Sequence, residues 1–316
     1  MTGRFTTRAP RGEGYQGYRV WSRKISTLIV SGLSHVGQKR GLVRFSVTRT
    51  CYAYPAMSLV CFSDVQKIYR SLQGADDVAV EHFSVEIEAG EFFCLLGPSG
   101  CGKTTVLKML AGFEHPTAGQ ILMEGRPVAG ASRDRGVVFQ GDDSLFGWLS
   151  AVENVEFGLR MRGIARVERR ERAMRYLELV GLKGQPQKYP AELSGGMKQR
   201  IQIARALVNE PTMLLMDEPF AALDAQTRAL MQEELARIWR ATRTTVFFIT
   251  HDIDEAVTLG TRIGVMRAGP RSRVKGVLDV ALNGARDRTD DVFLRYYKQV
   301  HEMIRDEVAK SIARVD

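Results

Sequence analysis

A glycine-rich segment, GPSGCGKT at residues 97–104, constrains the fold of this chain more than any other feature. It fits the pattern of Gly, four residues, Gly, Lys and then Ser or Thr. An apolar run at 92–96 precedes it, and residues 106–111 have helix-forming character. A strand, a glycine loop and a helix in this order predict an α/β fold, and the flanking elements disfavour an ordinary glycine-rich turn.

The same segment is suited to hold a chain of phosphates. Glycines allow the backbone to curl until successive N–H groups point inward, and the positive end of the following helix adds to the attraction. Lys103 is then expected to reach the β- and γ-phosphates, and the Thr104 hydroxyl to bind Mg²⁺. The segment therefore predicts a nucleoside triphosphatase.

The net charge of +9 belongs to the start of the chain. Ten of the 45 basic residues and one of the 36 acidic residues lie within 1–56, so 35 of each remain in the rest. A neutral remainder gives no electrostatic reason to expect nucleic acid as a partner.

Residues 1–56 show no lasting helical or strand period, and their composition predicts no packed core. Three interpretations are open. The segment is an over-long gene model in which Met57 is the true start, a disordered tail, or a targeting segment.

The apolar runs and the cysteines indicate the cellular location of the chain. The longest apolar runs, such as 246–249, are too short to cross a bilayer, so any membrane role is expected to be peripheral. The cysteines at 51, 61, 94 and 101 lack metal-binding spacing, which indicates small apolar thiols in a reducing compartment.

Strands and helices alternate after Ser58. Apolar alternation predicts half-buried strands at 59–65 and 80–87, joined by a loop with Gly74, Asp76 and Asp77. Further strands are predicted at 119–124, 136–139, 213–216, 245–250 and 262–266, and helices at 151–161, 168–180, 194–207 and 225–240. The helices between 141 and 210 form an insert between the phosphate loop and the next core strand.

Two acids and a histidine follow predicted core strands. Asp217 and Glu218 end the strand at 213–216, and His251 follows the strand at 245–250. Ligands of open α/β sheets bind at the carboxyl ends of strands, so Mg²⁺ is expected beside Asp217. An acidic turn and a structural histidine are the plainer alternatives.

Aromatic residues in two predicted loops are candidate contacts. Tyr69 lies between the first two strands, where its ring could stack on an adenine, although packing on its own sheet explains the spacing equally well. After Gln140, residues 141–149 form a predicted loop in which Phe146 and Trp148 look exposed.

A second anion site is predicted at LSGGMKQ, residues 193–199. Ser194, Gly195 and Gly196 open a helix with bare backbone N–H groups and a favourable dipole. If the helical insert projects sideways, this site cannot reach the phosphate loop of its own chain, which predicts a pair of chains.

Together, GPSGCGKT, the glutamine after VVF, LSGGMKQR, LLMDEP, the Leu223-Asp224 turn and His251 resemble the complete motif set of an ABC-type ATPase, in order and at family spacing, over residues 58–266. The strings MDEPFAALDA and THDIDEA are most similar to the ATP-binding subunits of nitrate, sulfonate and taurine-type importers. The resemblance implies a P-loop NTPase core of mixed sheet flanked by helices, an antiparallel β subdomain and a helical insert that carries the LSGG signature.

The resemblance also implies roles for matching positions. Gln140 would sense the γ-phosphate through Mg²⁺ or water, and Asp217 would support the metal. Glu218 would polarise the attacking water, His251 would steady the transition-state charge, and Asp224 would lie across a dimer interface. The implied catalytic residues are Glu218, His251, Gln140 and Lys103; the Mg²⁺ ligands are Thr104, Gln140 and Asp217; and the ATP-binding residues are Tyr69, Gly97, Pro98, Ser99, Gly100, Cys101, Gly102, Lys103, Thr104, Thr105, Ser194, Gly195, Gly196 and Asp224.

The implied organisation is a basic extension at 1–56, an ATPase domain at 57–280 with its helical insert at about 141–210, and a helical extension at 281–316. Implied partners are a second copy, a membrane permease and a solute-binding protein, at the cytoplasmic face of the inner membrane. An ABC ATPase of an exporter, or one that acts on nucleic acid or ribosomes, is the rival interpretation.

Two departures from the family pattern qualify this resemblance. Ala221 stands where the family often has Gly or Ser, and Gly147 where the subfamily usually has Pro.

Apolar residues within 291–308 recur near helical spacing, which predicts a helix that packs on its own domain or on its twin, with membrane-surface binding as the alternative.

Overall fold

A computed structural model of the chain describes residues 58–70, 74, 76–141, 144–281 and 286–312, with side chains to 310. The expectations for residues 1–56 lie outside the described residues.

The strands form two sheets. In chain order they are β1 (Ser58–Arg70), β2 (Asp76–Glu88), β3 (Phe92–Leu96), β4 (Ala118–Met123), β5 (Arg126–Pro127), β6 (Arg135–Val138), β7 (Met213–Asp217), β8 (Thr245–Thr250), β9 (Arg262–Met266) and β10 (Val274–Asp279). One sheet has the order β10-β9-β3-β8-β7-β6 and is parallel except for the edge strand β10. The other, β2-β1-β4-β5, is antiparallel, which confirms the predicted mixed core with an antiparallel subdomain.

The helices cover the parallel sheet and form the insert. They are α1 (Lys103–Ala111), α2 (Ala151–Met161), α3 (Arg166–Leu179), α4 (Gly195–Leu207), α5 (Ala225–Thr242), α6 (Ile253–Leu259) and α7 (Asp291–Ile312). A capping box of Ser150 and Glu153 starts α2, which fixes its first residue at the predicted position. Helices α2, α3 and α4 pack on one another as the helical insert.

Strand β3 is buried on both faces. Phe92, Cys94 and Leu96 belong to one apolar cluster, and Phe93 and Leu95 to the other. Successive side chains of a strand point to opposite faces, so a strand between two cores has a continuous apolar sequence. The phosphate loop therefore starts from the centre of the parallel sheet, between β8 and β9.

The first two strands are longer than the sequence predicts. β1 continues past Val65, and β2 starts at Asp76 rather than at 80. Tyr69 therefore lies in β1, paired with Asp77, and its placement in the connecting loop was wrong. Pairing between Val65 and Ile68 is irregular, and the shift in register removes the period-2 alternation by which a strand is found.

Three short elements, β5, α6 and β10, were missed. β5 has two residues and α6 has seven, which is too few for a period to show. β10 is an edge strand in which buried and exposed positions do not alternate strictly. Length and position explain all three omissions.

The last helix, α7, packs against its own chain. Phe293, Val300 and Ile304 are buried in the same cluster as one face of β3. They recur at spacings of seven and four residues, which places them on one face of the helix. No helix in the described residues combines the length and the apolar character that a bilayer span requires.

Candidate functional site

A cleft of about 710 Å³ opens at the carboxyl edge of the parallel strands. Its walls come from the ends of β1 and β2, from the glycine-rich loop and α1, and from the loop after β9. The lining residues are Tyr69, Asp77, Ala79, Ser99, Gly100, Gly102, Lys103, Thr104, Thr105, Gln140, Glu218, Gly269 and Pro270.

Four neighbouring strands deliver the predicted residues to this edge. β3 runs into the glycine-rich loop, and β6 is followed by Gln140. β7 ends at Asp217, before Glu218, and β8 is followed by His251. Because parallel strands end at one edge, residues far apart in sequence gather there.

The glycines of the loop have steric reasons. A Cβ at Gly97 would lie 2.7 Å from the Cys101 sulfur, so only hydrogen fits. Gly102 has φ +87°, and its Cβ would lie 3.0 Å from the Ala79 carbonyl oxygen. Gly100 has φ +75° with open space beside it, so its backbone faces the cleft unshielded.

Not every residue of the loop faces the cleft. The Cys101 side chain is fully buried in the core, and burial raises the pKa of its thiol. Gly97 and Pro98 are not among the residues that line the cleft; their carbonyl groups face the Lys103 amine instead. Gly97, Pro98 and Cys101, all predicted to bind ATP, therefore support the conformation of the loop and do not face the cleft.

The Lys103 ammonium is held at the centre of the loop. It donates hydrogen bonds to the carbonyl oxygens of Gly97 and Pro98, at 2.8 and 3.0 Å. It also lies 3.6 Å from the Glu218 carboxylate, and Lys103 is only 5% exposed. A buried positive charge is thus fixed where the loop curls.

Asp217 and Thr104 form a pair that suits a divalent cation. The Thr104 hydroxyl donates to Asp217 Oδ1 at 3.2 Å. Burial raises the pKa of Asp217, and the bond from Thr104 only partly offsets this, so the carboxylate lacks a full counter-charge. Among the described residues, no three His, Cys, Asp or Glu side chains form a metal cage. Mg²⁺ rarely needs one, since it takes one or two carboxylates, waters and substrate phosphates.

Glu218 and His251 are in direct contact. His251 Nδ1 lies 3.0 Å from Glu218 Oε2, and about half of the imidazole is exposed. Glu218 has φ +44°, which is uncommon for a residue with a side chain, and its N–H donates to the Ile249 carbonyl at 3.1 Å. The backbone twist after β7 directs this carboxylate into the cleft beside Lys103.

Tyr69 lines the cleft and is tied to its rim. Its hydroxyl donates to Glu114 Oε2 at 2.6 Å and lies 3.5 Å from the Thr105 hydroxyl. The Lys67 ammonium lies 5.1 Å from the ring centre. Burial and the bond to Glu114 raise the pKa of the tyrosine hydroxyl. Sequence patterns did not indicate Glu114.

The second predicted anion site lies elsewhere in the chain. Ser194 caps α4 by accepting the Met197 N–H at 3.4 Å, and Asp224 caps α5. A Cβ at Gly196 would lie 2.9 Å from a Thr227 methyl group, so this glycine lets α4 approach α5. Residues 194–196 and 224 are not among the described residues that line the cleft.

The loop after Gln140 exposes one of its two aromatic residues. Trp148 is 75% exposed, as expected. Phe146 is half-buried, contrary to expectation, because it packs on Phe157 at 4.5 Å and faces the Arg205 guanidinium at 5.4 Å.

Sequence reasoning missed part of the cleft wall. Asp77 and Ala79 come from β2, and Gly269 and Pro270 from the loop after β9. A Gly-Pro pair after a predicted strand marks a turn, which was a usable signal for the second wall.

Comparison with known proteins decides the family. A family model described as ABC transporter matches residues 80–221. The taurine import ATP-binding protein TauB of Burkholderia pseudomallei (strain 1710b) is 50% identical over 214 residues, which cover 68% of this chain and 82% of that protein. The chain belongs to the ABC transporter family. It is an ABC ATPase that binds and hydrolyses ATP.

Two further likenesses agree with this. The nitrate import ATP-binding protein NrtD of Synechocystis sp. (strain PCC 6803) is 41% identical over 252 residues, 77% of this chain and 94% of that protein. The dimeric post-hydrolysis structure of the ATP-binding cassette MJ0796, bound to ADP and Pi, superposes with a TM-score of 0.62 at 31% identity, covering 71% of this chain and 99% of that one. The predicted resemblance and fold class of this ABC ATPase are confirmed.

Proposed function

We propose that this ABC ATPase powers the import of a small oxyanion or sulfur compound through a separate membrane permease. The observation that carries the proposal is the set of Lys103, Thr104, Asp217, Glu218 and His251 at one strand edge, with contacts of 3.0 to 3.6 Å between its members. Phosphoryl transfer needs positioning, charge stabilisation and one group for the attacking water, and this set contains each.

The triphosphate of ATP lies along residues 99–104 in this proposal. Backbone N–H groups at Gly100 and Gly102 and the start of α1 face the phosphates. Lys103 exchanges its bonds to loop carbonyl groups for bonds to phosphate oxygens, and so brings its charge to the group that is transferred.

Thr104, Asp217 and Gln140 are the proposed Mg²⁺ ligands. Mg²⁺ supplies Lewis-acid stabilisation of charge on the phosphate oxygens. The chain contributes one carboxylate and one hydroxyl already in contact, and Gln140 on the wall of the same cleft. A bound cation would also offset the desolvation cost of the buried Asp217 carboxylate.

Glu218 and His251 act on the attacking water and on the developing charge. Glu218 accepts a hydrogen bond from the water and orients it toward the γ-phosphate. His251, 3.0 Å from that carboxylate and half exposed, stabilises charge as the bond to the γ-phosphate breaks.

A second copy of the chain completes each site in this proposal. Ser194, Gly195, Gly196 and Asp224 lie at the N-termini of α4 and α5, and none of them lines the cleft of its own chain. The MJ0796 cassette, which is similar in structure, was captured as a dimer with ADP and Pi. We infer a head-to-tail pair in which each ATP lies between Lys103 of one copy and residues 194–196 of the other.

Import is supported by relatives and by one surface. TauB is named for taurine import and NrtD for nitrate import. Trp148, eight residues after Gln140, exposes a large apolar side chain that a permease can cover. The proposed complex lies at the cytoplasmic face of the inner membrane, and a solute-binding protein delivers the solute.

Uptake measurements test the proposal. Deletion of the gene is expected to abolish uptake of labelled taurine, another sulfonate or nitrate, and the parental gene is expected to restore it. A Glu218→Gln gene should not restore uptake, whereas the exposed Glu233→Gln control should. Unchanged uptake of all three solutes, or their increased retention in the deletion strain, would contradict import of this class.

A further inference from the structure

The loop after β9 forms one wall of the ATP cleft. We name residues 267–273 the wall loop; its Gly269 and Pro270 line the cleft beside Asp77 and Ala79 of β2. Gly269 and Arg271 have positive φ angles of 78° and 59°, so the loop turns tightly. The family motifs quoted above lie within residues 58–266, and the wall loop follows them.

The wall loop is closed on itself and fastened to β2. The Ser272 hydroxyl donates to the Arg267 carbonyl at 2.6 Å. The Arg271 N–H donates to the Val78 carbonyl at 2.6 Å, and the Glu81 N–H donates to the Ser272 carbonyl at 2.9 Å. A shift of the wall loop would therefore carry the cleft-facing part of β2 with it.

A buried carboxylate on α7 holds the other side of the wall loop. Glu307 Oε2 accepts the Ala268 N–H at 3.0 Å, one residue before Gly269. Its Oε1 lies 3.2 Å from the Lys275 ammonium and 3.3 Å from that of Lys310. The carboxylate is 4% exposed, so these three groups provide almost all of its stabilisation.

The helix that carries Glu307 is itself firmly seated. Ile304 and Val300, one and two turns earlier, are buried in the core. A Cβ at Gly276 of β10 would lie 3.0 Å from the end of the Met303 side chain, so α7 and β10 are in close contact. The part of α7 that carries Glu307 is therefore packed against the core and against β10.

We propose that Glu307 is a positioning residue for ATP, and that its carboxylate fixes the wall loop and thereby the part of the cleft that receives the base and ribose. The wall loop is bonded to Val78, the neighbour of Asp77, and Asp77 pairs with Tyr69, the proposed contact of the base. The triphosphate is placed along residues 99–104. The inference rests on the proposed placement of ATP. It gives α7, which lies beyond the motifs, a part in nucleotide affinity.

Binding of two ligands by the full-length chain tests this. The Kd of ATP and the Kd of inorganic tripolyphosphate are measured by calorimetry with Mg²⁺. Glu307→Ala leaves the Ala268 N–H without its acceptor, and the Kd of ATP is expected to rise about ten-fold. The Kd of tripolyphosphate, which reaches only the phosphate end, should stay within about two-fold.

Length and charge of the side chain are separated by two further variants. Glu307→Gln keeps an oxygen for the Ala268 N–H and is expected to retain the Kd of ATP, although it loses both ion pairs. Glu307→Asp keeps the charge but not the reach, and is expected to weaken ATP as Glu307→Ala does; it replaces that variant if alanine does not fold. Asp306→Ala, an exposed neighbour on α7, is the control.

The outcomes distinguish the inference from the proposed function. Parental ATP affinity in both Glu307→Ala and Glu307→Asp overturns the inference. Equal weakening of ATP and tripolyphosphate also overturns it, because that result indicates general loosening. A parental chain that binds neither ligand contradicts the placement of ATP itself.

Discussion

Glu218 is the residue whose replacement separates binding from hydrolysis. Its backbone is held at φ +44°, a left-handed conformation that costs a residue with a side chain about 1 to 3 kcal/mol. Glu218→Gln keeps the shape but removes the charge that orients water, so ATPase turnover should fall by about 100-fold or more while the Kd of ATP stays near parental. Steady-state hydrolysis and equilibrium binding check this, with Glu233→Gln as the exposed control. Parental turnover in Glu218→Gln would disprove the assigned role.

The buried charge of Asp217 should destabilise the folded chain at neutral pH when no Mg²⁺ is bound. Burial raises the pKa of Asp217 in the folded chain, so the folded state binds the proton more tightly than the unfolded state. The free energy of unfolding therefore falls as the pH rises from the pKa of the unfolded chain to that of the folded chain. Without Mg²⁺, Asp217→Asn should therefore be more stable than the parent by roughly 1 kcal/mol at pH 7 and equal to it at about pH 3.

Denaturant unfolding in a chelating buffer at both pH values measures this difference. Asp287→Asn is the matched control, because hydrogen bonds from Thr289 lower the pKa of that exposed carboxyl and the change should be in the opposite direction. Lower stability of Asp217→Asn at pH 7 would show that the carboxylate is well compensated.

The sequence predicted the residues that a motif fixes and missed those that tertiary contacts bring in. Lys103, Asp217 and His251 were predicted as candidate site residues because each follows a core strand in a recognisable string, and the structure places all three at one strand edge. Gly269 and Glu307 were not, since their places depend on how the wall loop meets α7, and no local pattern records a contact across 39 positions.

Helix α7 should contribute measurably to the stability of the domain. Val300 is fully buried in the core, so Val300→Ala should lower the free energy of unfolding by about 2 kcal/mol. Leu294→Ala, on the same helix but 41% exposed, should change it by less than about 0.5 kcal/mol. Urea unfolding of both variants tests the contrast, and equal effects would mean that the burial of α7 is not maintained in solution.

Prediction of elements from the sequence succeeded where the period is long and regular. The bounds of α2, β8 and β9 agree with the expected ones, because capped helices and continuous apolar runs have sharp ends. β1 was cut short at a change of register, and α6 and β10 passed unnoticed for lack of length or alternation.

Two copies of the chain should be needed for a complete site. In the Glu218→Gln background, ATP is expected to convert monomers to dimers, and adding Ser194→Arg should prevent this by placing a long side chain at the start of α4. Light scattering with and without ATP measures the change, with Ser132→Arg at an exposed loop as the control. A monomer that hydrolyses ATP at full rate under dilution would refute the shared site.

The burial of β3 on both sides has a consequence for how the glycine-rich loop is held. Amide hydrogens of residues 92–96 should be among the slowest of the chain to exchange with deuterium, since reaching them requires both cores to open. The glycine-rich loop is thus anchored to a strand that is packed on both faces. The phosphates of a bound nucleotide would then lie against a strand whose release requires both cores to open.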